Sequence, residues 1–381
     1  MGTLSLPEYT NLPEDCKNLR TAFKGLGCNE KRVIEILGRR TQAQRMEIAQ
    51  AYQTVYSQSL HKRLKSAFSG KLEKALLLWM MDAAERDAVL LYEAIRGTGS
   101  KCDRALIGIL CTRTSAQLFL IKQAYYTMFS ETLENHISGV DTCAADFHKT
   151  KWAFWRSTDS RKIEFRERLP SITKLLLALV RGNRPENTDI DRHIALNDAH
   201  QLNKVCMGRT GSEDTFIHII STRSTAQLLA TLNYFQQHYG QEFEKALKKE
   251  RWGELEGALQ VAVQCFRQPA KFYAKELCVA LMGFAMDDDT LIRVITTRAE
   301  IDMQYIKLEF TNESKRLLEE VIAIDTSGSY RLFLLTLIGH GEVGLYSPSN
   351  TAGSASFFSA SSSSQHQSNV SVASSRSSDH N

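Results

Sequence analysis

Pairs of small, turn-forming residues recur in this sequence, and two of these pairs are followed by a carboxylate 42 residues after their first member. Backbone carbonyls of an open loop, completed by one remote carboxylate, are ligands that suit a hard, oxygen-binding cation. Ca²⁺ fits such a set better than Mg²⁺, which demands near-ideal octahedral geometry and keeps more of its water. The pairs and their later acid positions are Gly25 and Gly27 with Ala67, Thr98 and Ser100 with Val140, Gly208 and Thr210 with Glu250, and Gly283 and Ala285 with Asp325.

A short string built around an arginine recurs four times and places these segments in one register. Its arginines are Arg40, Arg113, Arg223 and Arg298, separated by 73, 110 and 75 residues. Such self-similarity indicates that one structural unit has been copied. Each pair stands 15 and 13 residues before its arginine, and each acid position stands 27 residues after it. The candidate positions therefore fall in one register in all four copies. In the second copy Gly97 and Gly99 stand one place out of register and Val140 stands at the acid position, so no metal is predicted there.

The string also marks where helices begin, because three copies fit the reciprocal capping box of a helix N-terminus. The capping pairs are Thr41 with Gln44, Thr114 with Gln117, and Ser224 with Gln227. Apolar residues at three-and-four spacing precede every copy, which is typical of amphipathic helices. The chain is therefore predicted to be all-α and built from short helices.

The middle interval between arginines exceeds the other two by 35 to 37 residues, which predicts a linker between the second and third copies. That linker groups the repeats into two pairs along the chain. After residue 340 serine dominates, and such a tail is predicted to be disordered because it cannot offset its ordering entropy. The predicted segments are repeat 1 at 14–82, repeat 2 at 86–156, the linker at 157–195, repeat 3 at 196–267, repeat 4 at 271–340 and the tail at 341–381.

Composition agrees with a soluble protein that has a hydrophobic core, since 43% of residues are apolar. No apolar run approaches the roughly 20 residues of a membrane-spanning helix, and the N-terminus lacks a signal-peptide core, so a cytoplasmic location is predicted. The eight cysteines show no CxxC spacing and predict neither a zinc site nor a disulfide framework. A net charge of +4 and the absence of any recognition motif argue against nucleic-acid binding.

Longer motifs resemble the annexin family, and most of all plant annexins. They are Phe23-Lys24-Gly25-Leu26-Gly27-Cys28-Asn29-Glu30, the segment from Leu78 to Asp87, the four arginine strings, and Asp325-Thr326-Ser327-Gly328. The resemblance covers about residues 14 to 340. It implies four annexin-type repeats of about five short helices each, arranged as a curved disc whose convex face meets anionic phospholipid through bound calcium. Self-association on membranes is left open.

Carried over by register, the family's metal-binding pattern ranks the candidate calcium sites. Repeat 4 is predicted to be best, through the carbonyls of Leu281, Gly283 and Ala285 with the carboxylate of Asp325. Repeat 3 is second, through the carbonyls of Cys206, Gly208 and Thr210 with Glu250. Repeat 1 offers Phe23, Gly25 and Gly27 but lacks the acid. If the repeat-4 loop needs a left-handed residue at Ala285, the site is weakened by about 1 kcal/mol. The alternative to metal binding for Asp325 is that it caps the helix that begins near Ser327. The alternative for Glu250 is that it is a solvated surface residue.

Basic residues flank Ala67 and offer contact with lipid that needs no calcium. They are Lys62, Arg63, Lys65 and Lys71. A basic side chain at a bilayer surface gains about 1 kcal/mol from anionic lipid, and the alternative is a solvated helical face. A chain that relied on them would be an annexin-fold scaffold with little calcium dependence, binding lipid directly or binding protein partners.

Other activities of plant annexins find less support in the residues. Cys111 and Cys265 match the pair linked to redox chemistry, but both lie in apolar helical segments where buried, inert thiols are the alternative. The string associated with actin binding reads Ile217-His218-Ile219, which makes actin binding doubtful. No nucleophile, base and orienting group can be assigned. We therefore predict no enzyme, with a redox-active enzyme or an ion-conducting assembly as the alternative from another class.

Overall fold

The structure is a computed structural model that describes residues 1–7, 9–25, 27–97, 99–139, 170–182, 184–207, 213–247 and 253–339. Regular secondary structure within these residues is entirely helical, with twenty helices that follow one another as four sets of five. This confirms the predicted all-α chain with about five short helices in each repeat. The serine-rich tail predicted at 341–381 lies outside the described residues.

The helices of the first two repeats alternate between longer and shorter elements. Repeat 1 contains α1 (Leu12–Ala22), α2 (Glu30–Leu37), α3 (Gln42–Tyr56), α4 (Leu60–Ala67) and α5 (Gly70–Met80). Repeat 2 contains α6 (Ala83–Arg96), α7 (Ser100–Thr112), α8 (Ser115–Phe129), α9 (Leu133–Ile137) and α10 (Pro170–Arg181).

The last two repeats follow the same order. Repeat 3 contains α11 (Arg192–Cys206), α12 (Glu213–Thr222), α13 (Thr225–Tyr239), α14 (Phe243–Leu247) and α15 (Glu254–Arg267). Repeat 4 contains α16 (Pro269–Met282), α17 (Asp288–Arg298), α18 (Met303–Ser314), α19 (Leu318–Asp325) and α20 (Gly328–Leu337). None of the helices in the described ranges is long and apolar enough to cross a membrane.

Helix starts follow the predicted capping chemistry in two repeats and depart from it in a third. The boxes that form completely are Thr41 with Gln44 at α3 and Thr114 with Gln117 at α8. Ser224 accepts a hydrogen bond from the Gln227 N–H at 3.1 Å, but the Gln227 side chain contacts the backbone of Asp191 instead of completing the box. Gln227 therefore ties the start of α13 to the start of α11.

The segment predicted as a linker at 157–195 contains a helix. In α10, Ile172, Leu175, Leu176 and Leu179 are buried on one face. The helix packs against α7 and α9 of repeat 2, and also against α12 and α15 of repeat 3. By order and packing, α10 is the fifth helix of repeat 2, as α5 is of repeat 1.

The recurring arginines join the second helix of a repeat to its first. The bidentate pairs are Arg40 with Asp15 at 2.8 and 2.8 Å, Arg113 with Asp87 at 2.6 and 3.1 Å, and Arg223 with Asp198 at 2.6 and 3.0 Å. Repeat 4 has Tyr273 in place of the aspartate. There Arg298 binds Asp302 and lies 4.6 Å from the centroid of the Tyr273 ring. The repeated string is thus a structural clasp, because its arginine holds two helices together.

Helices pack between repeats in an order that differs from the chain. α7 and α10 of repeat 2 contact α15 and α12 of repeat 3, while α2 and α5 of repeat 1 contact α20 and α17 of repeat 4. Lys71 pairs with Asp288 at 2.5 Å and Lys74 with Asp289 at 3.0 Å, which ties α5 to α17. The packing therefore joins repeat 1 to repeat 4 although they stand at opposite ends of the repeat array.

Candidate metal-binding loops

The loop between α16 and α17 carries the candidate ligands of repeat 4 and is closed by a backbone hydrogen bond. The Asp287 N–H donates to the Ala280 carbonyl at 2.9 Å. In repeat 1 the equivalent bond runs from the Asn29 N–H to the Ala22 carbonyl, also at 2.9 Å. The two loops are therefore closed in the same way at equivalent positions, and their contents can be compared directly.

Asp287 is an acid inside the repeat-4 loop, but it is engaged in holding the helix. Its carboxylate caps α17 by accepting from the Thr290 N–H at 3.3 Å and the Thr290 hydroxyl at 2.9 Å. It also pairs with Lys101 at 3.1 Å. Burial opposes its charge, but these donors lower the pKa of Asp287 below its ordinary value. A metal ion would have to displace them, so Asp287 is a poor ligand.

The predicted repeat-4 ligands have the open valences that a metal ion needs. The carbonyls of Leu281, Gly283 and Ala285 accept no hydrogen bond from any described residue. Asp325 ends α19, which packs against α16, and its exposed carboxylate has no partner within the described ranges. The N-cap of α20 is Ser327, so the alternative in which Asp325 caps that helix is wrong. Backbone carbonyls without donors from the described residues and an exposed carboxylate are the kinds of ligand that a calcium ion takes.

The glycine positions adopt different backbone conformations in repeats 1 and 4. Gly25 and Gly27 have φ of 105° and 114°, whereas Gly283 has φ of −71° and Ala285 is not among the residues with positive φ. Ala285 therefore carries no left-handed strain. A Cβ at Gly283 would lie 2.6 Å from the Val279 carbonyl oxygen, so this position requires glycine for a close approach.

In repeat 1 a side chain from α4 already occupies the loop. The Arg63 Nη2 donates to the Phe23 carbonyl at 2.9 Å, and the guanidinium carbon lies 5.4 Å from the centroid of the Phe23 ring. The Gly25 carbonyl accepts from the Gly27 N–H at 3.1 Å. Two of the three predicted carbonyl ligands thus have donors, and Ala67 supplies no charge. This set fits calcium less well than the repeat-4 set.

The repeat-3 ligands are described only in part. Cys206 is the last residue of α11 and is buried. Gly208, Thr210 and Glu250 lie outside the described residues. The predicted second calcium site therefore stays a prediction.

Three of the predicted lipid contacts differ in their surroundings. Lys62 is exposed and has no ion pair in the described part of the chain. Lys71 is held by Asp288 at the junction between repeats. Burial raises the pKa of Glu73, and the positive charge of Lys65 opposes that rise, which places this lysine beside an acid. Lys62 is therefore the lysine of this group that is open to an anionic partner.

Exposed apolar side chains flank the repeat-4 ligands, a feature the sequence reasoning missed. Phe284, between Gly283 and Ala285, is fully exposed, and Ile324, just before Asp325, is 68% exposed. Phe284 and Ile324 therefore place exposed apolar surface next to the predicted ligands in the sequence. The sequence feature that could have indicated this surface is Phe284, a large apolar residue between the two small residues of a turn-forming loop.

The two redox candidates are deeply buried thiols. Burial raises the pKa of Cys111 to about 12, although Arg184 opposes the rise. Burial likewise raises the pKa of Cys265 well above its ordinary value. Because the thiolate is the reactive form, a raised pKa favours the less reactive thiol form of both side chains at neutral pH.

Side-chain clusters offer no other metal site in the described residues. No group of three or more His, Cys, Asp and Glu side chains comes together there.

Comparisons with known proteins agree with the motifs. The annexin family model matches residues 14–79, 86–150, 197–262 and 272–337. Annexin D5 of Arabidopsis thaliana is 36% identical over 341 residues, which cover 89% of this chain and 99% of that protein. The structure of annexin III is similar with a TM-score of 0.78 and 33% identity, covering 89% of this chain and 97% of its own. A calcium-bound annexin (Sm)1 has a TM-score of 0.73 and 25% identity, covering 89% and 93%. The predicted resemblance is confirmed, and this chain belongs to the annexin family.

Proposed function

We propose that this protein binds anionic phospholipid membranes as a peripheral, calcium-dependent protein and is not an enzyme. The observation that carries the proposal is the repeat-4 loop, where the carbonyls of Leu281, Gly283 and Ala285 accept no hydrogen bond from a described residue and Asp325 is exposed. Membership of the annexin family supports it, as does a structural relative described as calcium-bound.

The protein's contribution at the repeat-4 loop is to position backbone carbonyl oxygens as metal ligands. The bond from Asp287 to Ala280 closes the loop, and Gly283 permits the close approach to the Val279 carbonyl. Ca²⁺ takes about six to eight oxygen ligands in flexible geometry, so this set would leave places for water and lipid phosphate oxygens. A bound calcium ion would supply the positive charge that joins loop to phosphate.

The proposal ranks the repeats and implies a location. Repeat 4 is the first calcium site and repeat 3, through Glu250, the second. The protein is cytoplasmic and moves to membranes when calcium rises, where it can self-associate. The rival account is an annexin-fold scaffold that needs little calcium and binds lipid through basic residues or binds protein partners.

Co-sedimentation with phosphatidylserine vesicles tests the proposal. Wild type should sediment with calcium and largely stay in solution with a chelator. Asp325→Asn keeps the side-chain size but removes the charge, and ligand charge tunes calcium affinity, so the calcium needed for half-maximal binding should rise about tenfold. Glu320→Gln, on the exposed side of the same helix, is the matched control and should change little. Binding that ignores both the chelator and Asp325→Asn would favour the scaffold account.

A further inference from the structure

We propose that the repeat-1 loop is a phosphate-binding site that works without a metal ion and is built on Arg63. The proposal deepens the membrane-binding function and rests on it, because a lipid headgroup is the expected source of the phosphate. In this proposal the repeat-1 loop binds phosphate oxygens directly, whereas the repeat-4 loop binds them through a calcium ion.

The first step is the position of the positive charge. Arg63 stands one helical turn before Ala67 on α4, and its guanidinium binds the Phe23 carbonyl that the register predicts as a metal ligand. The equivalent position in repeat 4 is Val321, which is fully buried. The equivalent carbonyl, that of Leu281, has no donor among the described residues. Repeat 1 therefore carries its cation as a side chain, at the loop that lacks the acid.

The second step is the number of donors left over. Phe23 uses one N–H of Arg63 Nη2. Arg63 Nη1 makes no hydrogen bond to the described residues, and Arg63 Nε is a buried polar atom without a partner among them. Arg63 therefore keeps N–H donors of its planar guanidinium fork that Phe23 does not use. Such a fork matches two oxygens of a phosphate, for which arginine is the favoured partner.

The third step is room and local charge. A Cβ built at Gly25 or Gly27 would meet no atom within 4 Å, so the loop is open above its backbone. Lys62 is exposed nearby on α4. Burial raises the pKa of Cys28, the charge of Glu30 raises it further, and the charge of Arg63 lowers it, so Glu30 is an acid near this loop. An anion can therefore approach Arg63 from the loop side.

The test measures vesicle binding in chelator, where repeat 4 cannot contribute calcium-mediated contacts. Wild type should retain a fraction bound to phosphatidylserine vesicles. Arg63→Gln keeps a donor for Phe23 but loses the charge and the fork, and should lower that affinity at least tenfold. Lys62→Gln is the matched control and should lower it by no more than about fivefold, the effect of one unspecific surface charge. Arg63→Lys, which keeps the charge without the fork, should fall between them.

Competition distinguishes the sources of phosphate. If millimolar inorganic phosphate displaces the wild type from vesicles, the site accepts free phosphate as well as lipid; if it does not, the lipid headgroup is the ligand. Equal effects of Arg63→Gln and Lys62→Gln, or no binding at all in chelator, would overturn the proposal. The same variants should keep binding vesicles with calcium through repeat 4, so failure here leaves the proposed function standing. Thermal unfolding of each variant checks its fold, and Arg63→Lys decides the matter if Arg63→Gln unfolds.

Discussion

Replacing Phe284 by alanine should weaken calcium-dependent membrane binding without weakening calcium binding itself. The Phe284 ring is fully exposed at the tip of the repeat-4 loop, and Ile324 is exposed beside Asp325. Burying a phenylalanine side chain fully contributes about 1.5–3 kcal/mol, and each 1.4 kcal/mol, approximately, is a factor of ten in affinity. If the ring enters the apolar edge of the bilayer, Phe284→Ala should lower vesicle affinity roughly ten- to hundredfold.

The assay is a vesicle titration at fixed, saturating calcium, with calorimetry of calcium binding in the absence of lipid beside it. Phe119→Ala is the matched control, because Phe119 is 62% exposed on α8, a helix that carries no loop ligand. The control should bind vesicles as wild type does. Calcium binding without lipid should be the same for all three proteins, since Phe284 would contribute no side-chain ligand.

A vesicle affinity for Phe284→Ala within twofold of wild type would refute this reasoning. It would mean that the exposed ring stays in water when the loop meets lipid. An equal loss for Phe119→Ala would also refute it, because general surface hydrophobicity would then explain the effect. Ile324→Ala, at 68% exposure, should show a smaller loss in the same direction.

Two further predictions concern the clasp and the ligand sets. Asp87→Asn should lower the free energy of unfolding, measured by urea denaturation, by about 3–5 kcal/mol, because it leaves the Arg113 charge without its partner in a pair whose side-chain exposures are 6% and 4%. The control is Glu47→Gln, at an exposed position, which should change that free energy by less than about 0.5 kcal/mol. Equal stability of the two variants would contradict the structural role of the Arg113–Asp87 pair. Ala67→Glu alone should add no calcium site, because Arg63 stands one turn away on α4 and would pair with the introduced carboxylate. Combined with Arg63→Val, it should add one site countable by calorimetry, and a new site with Ala67→Glu alone would contradict the role of Arg63.

The fold could be predicted because its signals are local and repeated. The capping residues Thr41 and Thr114 act on a neighbouring turn, so their meaning is visible in a few residues. The arginine spacing alone does not predict helix α10, although Leu175, Leu176 and Leu179 have helical spacing, because the longer interval between Arg113 and Arg223 predicts a linker there. The clasp partner Asp15 was missed for another reason: it lies 25 residues before Arg40, and nothing in the local pattern identifies it.

The candidate site could be predicted only as far as register reaches. The register of the repeats identifies Gly283, Ala285 and Asp325 as the repeat-4 counterparts of the candidate ligands in the other repeats. The carbonyls of Gly283 and Ala285 accept no hydrogen bond from a described residue, which agrees with their proposed role as metal ligands. It did not show that Arg63 turns toward the Phe23 carbonyl, 40 residues earlier in the chain. That contact depends on how α4 packs beside the loop, which no spacing rule gives. Exposure of Phe284 likewise depends on the shape of the whole loop.

The register and the structure together suggest that the four repeats differ in the source of the positive charge that faces lipid phosphate. Carbonyl oxygens and phosphate oxygens are both electron-rich, so a cation must stand between them. The residues at 23 and 27 positions after each arginine are Arg63 with Ala67, His136 with Val140, Ala246 with Glu250, and Val321 with Asp325. His136 is buried against the Tyr125 hydroxyl and cannot face a ligand there. Where the first position is apolar the second is acidic, and where it is arginine no acid follows. Repeats 3 and 4 would therefore take their cation from solution, repeat 1 carries its own, and repeat 2 has neither. Membrane affinity should then have one part that survives a chelator and another that requires calcium.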